Sequence, residues 1–306
     1  MVISRRIVFA SAALLMLTGC TDLTEFDHTL LGGINIIHTP DLSIVHTIEN
    51  ISGARSLCAL ADCFLVATTE GTLIRFDLES YEQTGCFTVG SPSSSGYFEI
   101  EYSPVENSIY IIGALGQIVE LHVPDMEIMD SFSICETPVD IEIGPNIELP
   151  YLYVAGANSS KIYEVRLGSN NLSRSCILPS SPTCMAIDQS QDTMLVGTLG
   201  ETEAVSIVTG AMRHRTMDLF PRIAAIETIP NDTTKCAVFH RYSSGMIAVI
   251  LRYFPDYVYP RPMYTGCVTI SGDIHYMCAE SDGSHAYVLS YLGDNISRLV
   301  SYNCTD

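Results

Sequence analysis

Along most of the chain, apolar and β-branched residues come in runs of about six, closed by Gly, Pro, Asn, Asp or Ser. No stretch carries the three-to-four spacing of an amphipathic helix, so the runs predict short strands. The runs also recur. Those beginning at Cys63, Ser108, Tyr151, Thr193, Lys235 and His285 start 45, 43, 42, 42 and 50 residues apart. Turns such as Ser103-Pro104 and Gly144-Pro145 precede them, and further strands are predicted over 72–77, 117–123, 161–167, 204–208, 246–251 and 296–302. Outer strands are predicted over 83–89, 127–134 and 172–178. Pro138, Pro182 and Pro221 each stand just ahead of the apolar run that opens the next unit.

Four short strands in about 40–45 residues make the unit of a β-propeller, in which small sheets stack around an axis because none can bury both faces alone. A sandwich predicts no such regular register, and a β-helix needs shorter coils. The fold expected is all-β, a single propeller of four-stranded antiparallel blades over 30–306. Seven blades are expected, because 33–38 and 42–49 read as the third and fourth strands of a further unit. Six is the alternative, from the six clear second strands. Pairing the two chain ends in one blade would close the ring without a free edge.

The stretch YLYVAGANSSKIYEVRL (151–167) resembles the YVTN-type, WD40-like propeller repeat of bacterial and archaeal surface proteins, and GTLIRFD (71–77) and GINIIH (33–38) resemble its second half. The resemblance covers most of 30–302. It implies blade architecture and says little about activity.

Ahead of the repeats, residues 1–19 pair Arg5 and Arg6 with an apolar run over 7–17, too short to span a membrane and shaped like a secretory signal. Leu17-Thr18-Gly19-Cys20 resembles the lipobox of bacterial lipoproteins, which implies lipidation of Cys20 after cleavage before it. The expected organisation is a signal peptide over 1–19, a lipidated tether over 20–29 and the propeller beyond. The expected location is the bacterial cell envelope, at the outer membrane, held through the lipid. The body then faces the periplasm or the cell surface.

Composition narrows the partners. Asp and Glu number 35 against 15 Lys and Arg, for a net charge of −20, which argues against nucleic acid. After Cys20, ten cysteines remain, without a CxxC pair. Cys58 and Cys63 flank a short turn and are the first candidates for a disulfide across a hairpin, with buried thiols as the alternative reading. Cys176 with Cys184 and Cys267 with Cys278 are weaker pairs.

Chemistry is harder to find. The chain lacks a phosphate-binding Gly-rich loop, GxSxG and HExxH, and its eight histidines form no HxH or HxxxH pair. The innermost strand of each blade begins near the axis. Aligned on the repeated Pro, Arg55, Glu99, Asp140 and Arg222 are the charged residues at that channel mouth. They are candidate ligand residues, or they pair with one another. No catalytic or metal set and no cofactor is identified, although a divalent cation in the channel is compatible with the carboxylates. The function expected is a non-catalytic binding module for an envelope protein, peptide or glycan. The alternatives are a metal-assisted hydrolase or lyase at the channel mouth and a purely structural envelope protein.

Overall fold

The computed structural model describes residues 44–90, 99–113, 116–123, 125–144, 150–188, 193–200, 202–207 and 212–217. It further describes the strands over 223–228, 235–242, 245–252, 263–270, 273–279, 285–291 and 296–303. The expected signal, tether, Cys20 and strand 33–38 lie outside these residues, as does Arg222.

The chain enters through β1 (Ile44–Ser52), then makes a first sheet of β2 (Ala54–Ala59), β3 (Cys63–Thr68), β4 (Thr72–Asp77) and β5 (Gln83–Thr88). The second sheet is β6 (Ile100–Ser103), β7 (Ser108–Ile112), β8 (Gln117–His122) and β9 (Ile128–Ser133). The third is β10 (Pro138–Ile143), β11 (Tyr151–Gly156), β12 (Lys161–Arg166) and β13 (Asn171–Ile177). The fourth is β14 (Pro182–Asp188), β15 (Thr193–Thr198), β16 (Thr202–Ser206) and β17 (Arg213–Met217). The fifth is β18 (Ile223–Thr228), β19 (Lys235–Tyr242), β20 (Gly245–Arg252) and β21 (Met263–Ile270). The last joins β22 (Asp273–Ala279), β23 (His285–Tyr291) and β24 (Ile296–Asn303) to β1.

All pairings are antiparallel, and each predicted second strand begins at the predicted residue. The innermost strands β2, β6, β10, β14, β18 and β22 neighbour one another in a closed cycle. The described residues form six four-stranded sheets, as many as the alternative count gives. The strand predicted over 42–49 is β1, and it completes the C-terminal sheet instead of belonging to a blade of its own. Its pairing with β24 is the ring closure expected.

The core lies between blades. Second strands such as β3 and β7 are buried at every residue, because both faces of the sheet are covered. Leu65 and Leu73 of the first blade pack with Ile100, Ile109 and Leu121 of the second. Tyr110 and Ile118 of the second pack with Ile141, Val154 and Val165 of the third. Outer strands turn solvent-facing, as in β9, where only Phe132 is even partly buried.

One hydrogen bond recurs on the face where the innermost strands begin. In the first four blades the end of the second strand donates back to the residue ahead of the innermost strand: Thr69 to Gly53 (2.7 Å), Ile112 to Glu99 (2.9 Å), Ala157 to Thr137 (3.0 Å) and Leu199 to Ser181 (3.0 Å). Gly53, between β1 and β2, also needs its lack of a side chain. Its φ is +66°, and a Cβ there would come 2.4 Å from Thr69 Oγ1. Gly53→Ala is expected to destabilise the fold by about 1–2 kcal/mol, read by chemical denaturation. An unchanged midpoint would show that the joint tolerates strain.

Candidate functional site

The inner wall of the ring is set by strand alternation. Glu99 and Glu101 flank Ile100, and Asp140 and Glu142 flank Ile141; both isoleucines are completely buried. A period of two turns the apolar residue into the blade interface and its acidic neighbours to the opposite side. Glu227 follows the buried Ile226 on β18 in the same manner.

Of the four residues expected at the channel mouth, the structure brings three within electrostatic reach. Burial pushes the Glu99 carboxyl well above its usual range; the charge of Asp140 adds to the rise and the Arg55 guanidinium opposes it. Arg55 and Glu99 remain partly exposed, and Glu99 Oε2 is enclosed without a hydrogen-bond partner. Asp140 is only 4% exposed, and its first commitment is structural. Its Oδ1 accepts from the Ile141 amide (2.8 Å), and its Oδ2 from the Met185 amide on β14 of the next blade (2.5 Å). These two donors favour the carboxylate, yet burial outweighs them and moves the Asp140 carboxyl up to about 7.

Glu101, Glu142 and Glu227 escaped the sequence reading, which aligned only the first residues of each innermost strand. The signal was present in the alternation Glu99-Ile100-Glu101 and Asp140-Ile141-Glu142. Burial, then the neighbouring Asp140, moves the Glu101 carboxyl up to about 8. Glu142 is raised well above its usual range by burial, then by the charges of Glu101, Glu227, Asp140 and Glu99. Glu99, Glu101, Asp140 and Glu142, on the inner strands, thus share a raised proton affinity, and a carboxyl that keeps its proton can both donate and accept hydrogen bonds. Among the described residues, no three His, Cys, Asp or Glu side chains are gathered closely enough to hold one metal ion.

The register corrects the geometry expected of Cys58 and Cys63. Leu60 N–H bonds to the Cys63 carbonyl (2.8 Å), so the turn tip is only Ala61-Asp62. Cys58 then sits opposite Leu65, and Cys63 is two positions off its line. Both are buried thiols in the cluster between the first two blades. Burial raises both, Cys63 up to about 11 and Cys58 well above its usual value, so both are protonated and unreactive near neutral pH.

A second polar arrangement crosses the third blade. Tyr153, Glu164 and Arg174 lie in register on β11, β12 and β13. Tyr153 OH donates to Glu164 Oε2 (2.9 Å), Arg174 Nε donates to Oε1 (2.7 Å), and Arg174 Nη2 also donates to Oε2. Arg174 Nη2 reaches on to the Ile207 carbonyl of the next blade (2.9 Å). Glu164 is 1% exposed, so this chain of groups is a buried clamp between blades.

No family model matches the chain. No curated protein matches its sequence. Solved structures do resemble its fold. The WD40 repeats of RRP9 superpose with a TM-score of 0.63 at 9% identity, covering 87% of this chain and 100% of that one. U3-55K superposes with a TM-score of 0.60 at 9% identity, covering 85% of this chain and 99% of that one. The chain has a WD40-like β-propeller fold. At this identity the likeness concerns architecture, and activity has to be argued from the site.

Proposed function

We propose that this chain is a binding module: a propeller held at a bacterial envelope membrane through a lipid on Cys20, which presents one face to a partner. The observation that carries the reading is the build of that face. Four successive blades fix their connecting loops with the same main-chain hydrogen bond, giving a fixed rim beside inner-strand carboxyls of raised proton affinity and, among the described residues, the Arg55 guanidinium. A rigid rim loses little conformational freedom on docking, which favours binding. Carboxyls that retain their protons both donate and accept hydrogen bonds, which favours a partner with polar, hydrogen-bonding groups.

Crosslinking in native envelopes, followed by identification of what is captured, tests the module. One reproducible partner, lost when Arg55 and Glu99 are replaced, is the expected result. Capture that ignores those substitutions would overturn the channel face as the docking surface. The anchor has its own test. Cys20→Ser is expected to move the protein from the membrane pellet to the soluble fraction and abolish labelling by a clickable fatty acid. Labelling that persists in Cys20→Ser would place the lipid elsewhere.

A second reading draws on Glu99, Glu101 and Glu142. Carboxyls with strongly raised proton affinity inside a channel are also the groups a hydrolase or lyase uses as acid or base. Metal content after exhaustive dialysis separates the two readings. One ion held per chain, and lost in Glu99→Ala, would favour the enzyme.

A further inference from the structure

Six of the ten asparagines stand two residues ahead of Ser or Thr with no proline between: Asn50, Asn158, Asn171, Asn231, Asn295 and Asn303. Ser and Thr together make 55 of the 306 residues, so chance alone would place one there for about two asparagines in ten. In an exported chain Asn-x-Ser/Thr is the acceptor pattern for attaching a glycan to the asparagine amide.

The structure divides the asparagines along the same line. Four are described together with their side chains. Asn107 and Asn170, outside the pattern, are committed to the fold. Asn107 Oδ1 accepts from Tyr102 OH (3.1 Å), and Asn170 Nδ2 donates to Asp130 Oδ2 (2.6 Å). Asn158 and Asn171, inside it, are exposed, and among the described residues neither side-chain amide has a hydrogen-bond partner.

Asn171 is the better presented of the two. It opens β13, the outermost strand of the third sheet, and Leu172 and Ser173 after it are also exposed. Glu164 of β12 faces Arg174 and Val165 faces Leu172, so Ser173 is skipped as the extra residue of a bulge. The acceptor amide and the hydroxyl of the pattern are thus both open to an enzyme. At Asn158 the hydroxyl is less free, because Ser160 Oγ lies 3.5 Å from Ser181 Oγ.

The position also suits a bulky, hydrated group. Leu172 is 54% exposed on a sheet edge, and such edges pair with other chains unless something blocks them. A glycan on the preceding residue is such a block. Asn50 likewise lies on an outermost strand, β1.

We propose that the exported chain is N-glycosylated at Asn171, with Asn158 as a second acceptor. The donor is a glycan carried on a polyisoprenyl diphosphate. Asn171 Nδ2 forms a bond to the anomeric carbon of the sugar as the bond from that carbon to the diphosphate oxygen breaks. The amide gives up one proton, the lipid diphosphate leaves with the electron pair, and nothing is oxidised or reduced. The proposal goes beyond the binding-module reading and rests only on the export that reading includes.

The test takes the full-length protein from its native cells, records its compartment and its lipid, and maps its peptides by mass spectrometry. The tryptic peptide 167–174 is expected to carry a sugar mass that fragmentation places on Asn171 and not on Asn170. Ser173→Ala should abolish that mass although Asn171 is kept, and Ser173→Thr should retain it. Both changes fall at an exposed residue outside the strand pairing, so the fold should be unharmed. An exported protein with a bare Asn171, or a sugar mass there that survives Ser173→Ala, overturns the proposal. A bare chain retained inside the cell overturns the proposal and the export together. A glycosylated chain without lipid bears the proposal out and removes only the anchor.

Discussion

Glu164→Ala is expected to lower stability by about 3–5 kcal/mol, a fall in melting temperature on the order of 10 °C. Glu164 is the shared acceptor of Tyr153 and Arg174, and its removal takes away the carboxylate that this guanidinium, only 22% exposed, bonds to. Taking away the whole arrangement should hurt far less. Glu164→Leu combined with Arg174→Met and Tyr153→Phe fills the same space with apolar groups and strands no charge, so most of the loss should return. Denaturation of the single and triple variants checks this. A loss under about 1 kcal/mol for Glu164→Ala would mean that water reaches the clamp.

Acidification should stabilise the ring. In the unfolded chain the carboxyls titrate near 4. In the fold, Asp140 titrates at about 7, Glu101 at about 8, and Glu99 and Glu142 well above their usual range. The folded state therefore binds these protons more tightly. The stability they lend is fully present below the unfolded values and is lost as pH rises through 7 and 8. Asp77 and Asp125 shift the other way, held down by turn hydrogen bonds, but their effect falls at pH below about 4, outside this window. The melting temperature should climb by about 5–10 °C between pH 8.5 and pH 5. Glu101→Gln, neutral at every pH, should raise the melting temperature at pH 8.5 and flatten the slope. A curve that is level or falls on acidification would show that the channel carboxyls ionise freely.

The blades were legible because short apolar runs closed by turn residues are a local signal. β3, β11 and β15 start where the pattern placed them. Of the two segments read as strands of a further blade, 42–49 overlaps β1, which pairs with β24, and 33–38 lies outside the described residues. Tyr153, Glu164 and Arg174 are separated by 11 and 10 residues, spacings that mean nothing until antiparallel pairing lays them side by side. Two residues of turn length separated the expected Cys58–Cys63 geometry from the real one. The inner acids were written in the alternation around Ile100 and Ile141, but only burial of the isoleucines shows which side faces the axis.

The clasp between β1 and β24 also sets a timetable. β1 is the first strand synthesised among the described residues and its partner is the last, so β1 waits with unpaired main-chain groups until residue 303 has emerged. Each of the other five sheets is contiguous in sequence and can form as it is made. The final sheet is a contact between the extremes of the chain and must be the slow, committing step. A chain that stalls near its end would carry five finished blades and two bare edges, a form primed to pair with its neighbours.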